Sequence, residues 1–240
     1  MQFFYHQNAG ENEIILDSES YHYLFRVRRF NTKEILKVRN LIDKKLYFYK
    51  FHKKQSFILE SNTQDSIESN SQKDSKDSKD LNLILAIIDL KDIYEILPFL
   101  NALNTKSLNL FYADFSQKNR VFNTQKAMKI ITFSCMQCGR TDLMKINIFE
   151  NLDCVFKSYK NASVIDFIDS KNTNKNIESL DNLELQNIAN NGIIIGPEGG
   201  FSNAEREKLK KNNTYKLNTN NILTTHLASI YIASLVLSKC

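Results

Sequence analysis

Gly196, Pro197, Gly199 and Gly200 crowd one short segment of the chain, NGIIIGPEGGFSNAEREKLKK, residues 191–211. The 240-residue sequence holds only six glycines and two prolines, and four of those glycines fall between Gly192 and Gly200. Glycine reaches positive φ and lets a ligand approach the main chain, and proline stiffens the turn. The chemistry on offer is therefore recognition by backbone groups. Spacing excludes two familiar forms of it: there is no G-x-G-x-x-G for a dinucleotide and no G-K-[ST] for a phosphate cradle. Glu198, in the middle of the loop, repels phosphate and suits a cationic or polar ligand. The bland alternative is a tight strand-to-helix turn that binds nothing.

Cys135 and Cys138 form a C-x-x-C. A metal site would want a second pair or nearby histidines, and His226 is the only histidine after His52. A redox pair would want a strand just before it, whereas TQKAMKIITFSCMQCGR reads as a helix. The expectation is two ordinary thiols on a helix, with no metal.

Elements must carry these residues. GIIIG is a buried strand ending at the glycine loop, and Ser202 with Glu205 three residues on forms a capping box that opens a helix. Glu205 and Glu207 at its start and Lys208, Lys210 and Lys211 at its end suit the helix dipole. Upstream, LNLILAIID is a strand and DIYEILPFLNALN a helix containing Pro98. SLNLFYAD is the next strand, followed by the long helix RVFNTQKAMKIITFSCMQCGR and the strand ASVIDFID. A polar stretch, SKNTNKNIESLDN, precedes the glycine loop, and a last helix begins near Thr225. Alternating strands and helices predict an α/β domain with a mostly parallel sheet over 81–240, whose ligands bind at the carboxyl ends of the strands.

Residues 1–60 read differently. FFYH, NEIILD and KEILKVRNLIDKKLYFYKF alternate like short strands, with a short helix around SESYHYLFRVRR, and predict a small, partly closed β-barrel. Residues 21–60 hold eleven Lys or Arg and three Asp or Glu, +8, which leaves −3 for the rest. Cations interleaved with aromatics suit phosphates and bases, although a solvated basic face would look the same. Arg26, Arg28, Arg29 and Lys33 are the leading cations of that face if it is a nucleic-acid footprint. Between the two parts, SNTQDSIESNSQKDSKDSKD (61–80) has almost no apolar side chains and is expected to be a linker or disordered loop. The N-terminus lacks a cationic start followed by an apolar run, and LNLILAIIDL is too short to span a bilayer. The expectation is a cytoplasmic protein with no membrane partner.

IIGPEGGFSNAE strongly resembles the signature of the small-subunit ribosomal RNA uracil-N3 methyltransferases, members of the knotted SPOUT superfamily. MQCGR is similar to that family's Gln-x-x-Arg segment, with Gln137 and Arg140 on the matching positions. HYLFRVRRFNTKEI is similar to its N-terminal stretch, matching His22, Val27 and Arg29. Where the family has L-G-x-R-I-L-R-x-E-T-A, this chain has LNTNNILTTHLA. Ile222, Leu223 and Ala228 match, Asn221 and Thr224 replace arginines, and His226 replaces the glutamate.

The resemblance implies a trefoil-knotted parallel sheet with helices on both faces, a PUA-like N-terminal barrel and a homodimer. It implies transfer of a methyl group from S-adenosyl-L-methionine to N3 of a uridine in 16S ribosomal RNA of the small ribosomal subunit. Ile195, Gly196, Pro197, Glu198, Gly199 and Gly200 would then meet the cofactor. Leu217, Asn218, Ile222, Leu223 and Ala228 would form the slot for its adenine. Arg140 would hold charge on the uracil oxygens, Gln137 would orient the base, and Glu198 would accept a proton or brace its own loop. Two alternatives stay open: another RNA target, and an RNA-binding protein that has lost catalysis through the altered NILTTHLA.

Overall fold

The computed structural model describes residues 1–63, 80–116, 121–166, 178–180 and 185–238. Its residues form two compact units. One comprises the described residues of Met1–Lys76 together with Thr132–Leu143, and the other comprises those of Asp77–Ile131 and Met144–Cys240.

In the first unit, alternation of apolar and basic side chains produces a five-stranded sheet. Its strands are β1 (Phe4–Tyr5), β2 (Glu13–Ile15), β3 (Ile35–Arg39), β4 (Leu46–Lys53) and β5 (Ser56–Thr63), in the order β1-β3-β4-β5-β2. Only β1 and β3 pair in parallel; the other pairs are antiparallel. Leu36 and Val38 of β3 are buried while Lys37 faces solvent, the period-two pattern of a half-buried strand. β5 continues to Thr63, paired with Leu46, so regular structure runs three residues into the stretch expected to be linker. The rest of that stretch, 64–79, lies outside the described residues.

The helix expected here is α1 (Ser18–His22), continued by a π-helical turn over Tyr23–Val27. Asp17 caps α1 by accepting the Ser20 N–H at 2.7 Å, and that bond is the first cause holding its carboxyl below the usual range. The Tyr47 hydroxyl donates to Asp43 at 2.7 Å. That hydrogen bond, with burial, pushes the phenol up to about 12. Burial pushes the Asp43 carboxyl up, but hydrogen bonds from Asn40, Tyr47 and Lys45 outweigh it and hold it low.

The second unit alternates strand and helix as expected: β6 (Asn82–Ala86), α2 (Leu90–Ala102), β7 (Ser107–Phe111), α3 (Thr124–Cys138, of which the residues from Thr132 on belong to the first unit), β8 (Lys145–Phe149), α4 (Leu152–Ser158), β9 (Ser163–Ile165), β10 (Glu178–Ser179), α5 (Leu185–Asn191), β11 (Ile193–Ile195), α6 (Asn203–Leu209), β12 (Thr214–Lys216) and α7 (Thr225–Ser238). Every described strand pair is parallel, in the order β10-β12-β9-β11-β6-β7-β8. β7, β9 and β11 are buried along their whole length, as central strands covered on both faces must be. Pro98 sits inside α2, which continues through it to Ala102. Cys135 and Cys138 lie on α3, a helix as expected, the first buried and the second exposed. Among the described residues no helix is long and apolar enough to cross a membrane.

Candidate functional site

Because the strands run in parallel, their carboxyl ends share one edge of the sheet, and among the segments that leave that edge are 112–116 after β7, Asp166 after β9, and 196–202 after β11. The β11 loop is a tight turn in which the Gly200 N–H donates to the Pro197 carbonyl at 2.8 Å. Gly200 has φ +73°, the left-handed region that glycine enters at least cost. Gly196 is required for a different reason. A Cβ there would stand 2.8 Å from the buried Phe201 ring, so the bare α-carbon lies on that ring. Its carbonyl accepts a 3.0 Å bond from the Thr225 hydroxyl in the first turn of α7. Gly199 is freer, since an added Cβ would meet Phe115 at an ordinary 3.6 Å.

The start of α6 ties the loops together. Ser202 and Glu205 form the full capping box. Glu205 is only 5% exposed, and its carboxylate accepts the Ser202 N–H at 2.9 Å and the Asp114 N–H at 3.0 Å. One buried carboxylate thus joins the loop after β7 to the loop after β11, with both charge-bearing oxygens satisfied. The Ser202 hydroxyl donates to Asp114 at 2.5 Å. Arg206 donates to the Phe201 carbonyl at 3.2 Å and pairs with Asp166, which brings the β9 loop into the same network.

The sequence-predicted residues fall into three groups. Ile195, Gly196, Pro197, Glu198, Gly199 and Gly200 are continuous on the β11 loop; Ile195 and Pro197 are buried, and Glu198 and Gly199 are exposed. Glu198 makes no hydrogen bond or ion pair among the described residues, so nothing there supports the bracing role. Leu217 and Ala228 are buried, Leu223 is half-buried, Asn218 is exposed, and Ile222 stands 79% exposed. The Thr225–Gly196 bond holds the end of this segment against the glycine loop.

Gln137 and Arg140 belong to the first unit. Gln137 is exposed in the last turn of α3. The Arg140 side chain is 8% exposed, and its Nε donates to Asp142 at 2.9 Å. Arg26, Arg28, Arg29 and Lys33, also in that unit, are all exposed, on and just beyond the π-helical turn.

Sequence reasoning missed Asp114, Asp166, Arg206 and Thr225. The signal was present for the first two, because each follows a fully buried strand, in LFYAD and SVID. Thr225 and Arg206 act through partners far away in the chain, and only the fold reveals those bonds.

A family model for the RNA methyltransferase domain matches residues 75–237. Over 240 residues the chain is 36% identical to a ribosomal RNA small subunit methyltransferase E of Helicobacter pylori, covering 98% of this chain and 99% of that one. It is 29% identical to ribosomal RNA small subunit methyltransferase E 1 of Borreliella burgdorferi over 143 residues, 55% of this chain and 58% of that one. Among solved structures, the fold matches the ribosomal RNA small subunit methyltransferase E of Neisseria gonorrhoeae bound to S-adenosyl methionine. That match has a TM-score of 0.69 and 14% identity, covering 100% of this chain and 98% of that one. It also matches a Legionella pneumophila protein in complex with bound SAM, at a TM-score of 0.72 and 18% identity, covering 99% and 97%. With near-full-length relatives at this identity and a domain match over most of its sequence, the chain belongs to the ribosomal RNA small subunit methyltransferase E family.

Proposed function

We propose that the protein transfers the methyl group of S-adenosyl-L-methionine to N3 of a uridine in 16S ribosomal RNA of the small ribosomal subunit, acting as a homodimer with a knotted C-terminal segment. Family membership supports methyl transfer to ribosomal RNA. The observation that carries the cofactor reading is the glycine loop at the carboxyl edge. It has a bare α-carbon at Gly196, a turn closed by Gly200, and a neighbouring apolar segment bound to it through Thr225.

The residues present fit the cofactor. The sulfonium supplies an activated methyl group and needs no metal. Glu198, exposed and without a partner among the described residues, puts a negative charge on a loop that would face a cation. Leu217 and Ala228 offer apolar walls for an adenine, and the outward-facing Ile222 gives a third. Backbone N–H and C=O groups of the loop would read its polar edges.

The uridine must present N3 out of any pairing. Its imide proton has to leave, to the exposed Glu198 carboxylate or to water, and the negative charge then spreads to the uracil oxygens. Arg140 would stabilise that charge, exchanging part of its hold on Asp142 for the base. Gln137 would orient the ring. Holding donor and nitrogen in line supplies much of the rest of the rate. Leu227 and Leu237 of α7 lie outside that helix's buried stripe of Thr225, Ala228, Ser229, Ile232, Ala233 and Val236, and are 47% and 44% exposed. They suit the face of a second copy.

Calorimetry with S-adenosyl-L-methionine tests the first half: no uptake by the purified protein would contradict it. Mass spectrometry of ribosomal RNA from a strain lacking the protein tests the second, with loss of one N3-methyluridine expected.

A further inference from the structure

We propose that the cleft between α1 and the β4–β5 turn binds one unpaired base of the RNA, stacked against Tyr21 and Phe25, with an adjoining phosphate on Arg26. This rests on the RNA substrate proposed above and gives that substrate a contact point of its own. The cleft has a volume of about 510 Å³ and is lined by Ser18, Tyr21, His22, Phe25, Arg26 and Gln55. Ligand sites commonly fall between about 300 and 1,000 Å³.

Its floor is stiff. Phe25 touches Phe30 and Phe51 edge-on, each at 5.8 Å between centroids, and Phe57 at 6.4 Å. Phe57 is fully buried, so the platform is anchored in the core of the sheet. Tyr21 lies against Phe25 at 4.4 Å with planes tilted by 34°. The two rings stand four residues apart on one helical face, as do His22 and Arg26, so a ring pair runs beside a polar pair. Both rings of the pair are half-buried, which leaves an aromatic surface open at the cleft.

Its polar groups are unspent. The Tyr21 hydroxyl, the His22 ring and the Arg26 guanidinium make no hydrogen bond or ion pair among the described residues. The Gln55 amide reaches the Ser18 hydroxyl only at 3.5 Å, the limit of a hydrogen bond, and is available to a base edge. Gln55 itself is held at φ +65°, a region that a residue other than glycine seldom enters, and its carbonyl is fixed by the Leu16 N–H at 2.8 Å.

Charge and shape select the ligand. The surrounding residues 21–60 carry +8, which favours a polyanion. A duplex buries its base faces in its own stack, so only an unstacked base can use the Tyr21–Phe25 surface.

The test compares a short fluorescein-labelled oligouridine with a duplex RNA of equal charge, by anisotropy, on the full-length protein. Tyr21→Leu keeps an apolar helix-forming side chain and should fold; it should weaken oligouridine binding roughly five- to a hundredfold and leave duplex binding unchanged. Tyr21→Phe should bind like the native chain. Arg26→Ala should reduce the dependence of log affinity on log salt by about 0.7 for the single strand. Cofactor affinity, measured in parallel, should match the native chain in every variant, so failure here is separable from failure of the cofactor site. Equal losses on both RNAs, native-like binding by Tyr21→Leu, or a loss in Tyr21→Phe as large as in Tyr21→Leu would each overturn the stacking site.

Discussion

The hydroxyl of Thr225 donates a 3.0 Å hydrogen bond to the carbonyl of Gly196, joining the first turn of α7 to the loop that follows β11. The two residues are 29 positions apart, and Thr225 is only 5% exposed. Removing the hydroxyl leaves a part-buried carbonyl without this donor, at a cost of about 1–3 kcal/mol. Thr225→Val should therefore lower stability by that order and weaken cofactor binding about tenfold, while Thr225→Ser should retain both. Thermal melts and calorimetry check this, and native-like affinity in Thr225→Val would detach this bond from cofactor binding.

Gly196→Ala should destabilise the chain by about 1–3 kcal/mol, because its Cβ must displace the Phe201 ring from 2.8 Å. Phe201 is itself buried among Ile84, Phe111, Val164 and Ile194, so it has little room to yield. Gly199→Ala, with 3.6 Å to its nearest neighbour, should be tolerated far better. A denaturant midpoint series on the two variants decides the matter; equal losses would contradict this difference in steric demand.

Arg140→Ala should lower methyl transfer at least a hundredfold, the order seen when a donor to developing negative charge is removed. Cofactor affinity should remain close to native, since Arg140 is not among the residues proposed to hold the cofactor. Single-turnover rates with bound cofactor measure the first effect and calorimetry the second. Surviving turnover would remove Arg140 from the chemistry.

The first unit should lose stability in alkali. The Tyr47 phenol is raised to about 12 in the fold, above its usual 10, so its contribution is complete below pH 10 and disappears as pH rises through about 12. At the acid end the low Asp43 carboxyl acts in the opposite sense: its contribution is present above about pH 4 and is lost as pH falls through its lowered value. Tyr47→Phe should remove the alkaline loss. Circular dichroism melts between pH 9 and 12 would show it, and an unchanged pH profile in that variant would contradict the assignment.

The elements that sequence alone made legible were those with undivided patterns. β6 after Asn82 and the whole of β11 are buried and apolar, so their runs were plain, and the capping box at Ser202 named the start of α6. β8 gave no such signal. It is an edge strand of the sheet, with three of its five residues exposed and two half-buried, so Lys145–Phe149 carries neither an apolar run nor a fully buried residue. α5 hid among asparagines, with only Leu185 and Ala189 buried. The glycine loop was legible because glycine's special role is local. The ties that shape it were not: Glu205 reaches Asp114 across 91 residues and Arg206 reaches Asp166 across 40. α7 reads as apolar all round, and only packing separates its buried stripe from Leu227 and Leu237.

Incubating the purified protein and S-adenosyl-L-methionine with small ribosomal subunits from a strain that lacks it, followed by nucleoside mass spectrometry, is the most direct measurement. The expected product is a single N3-methyluridine in 16S ribosomal RNA, absent when Arg140→Ala replaces the native protein. No methylated nucleoside, or a methyl group on another atom or another RNA, would contradict the proposed function.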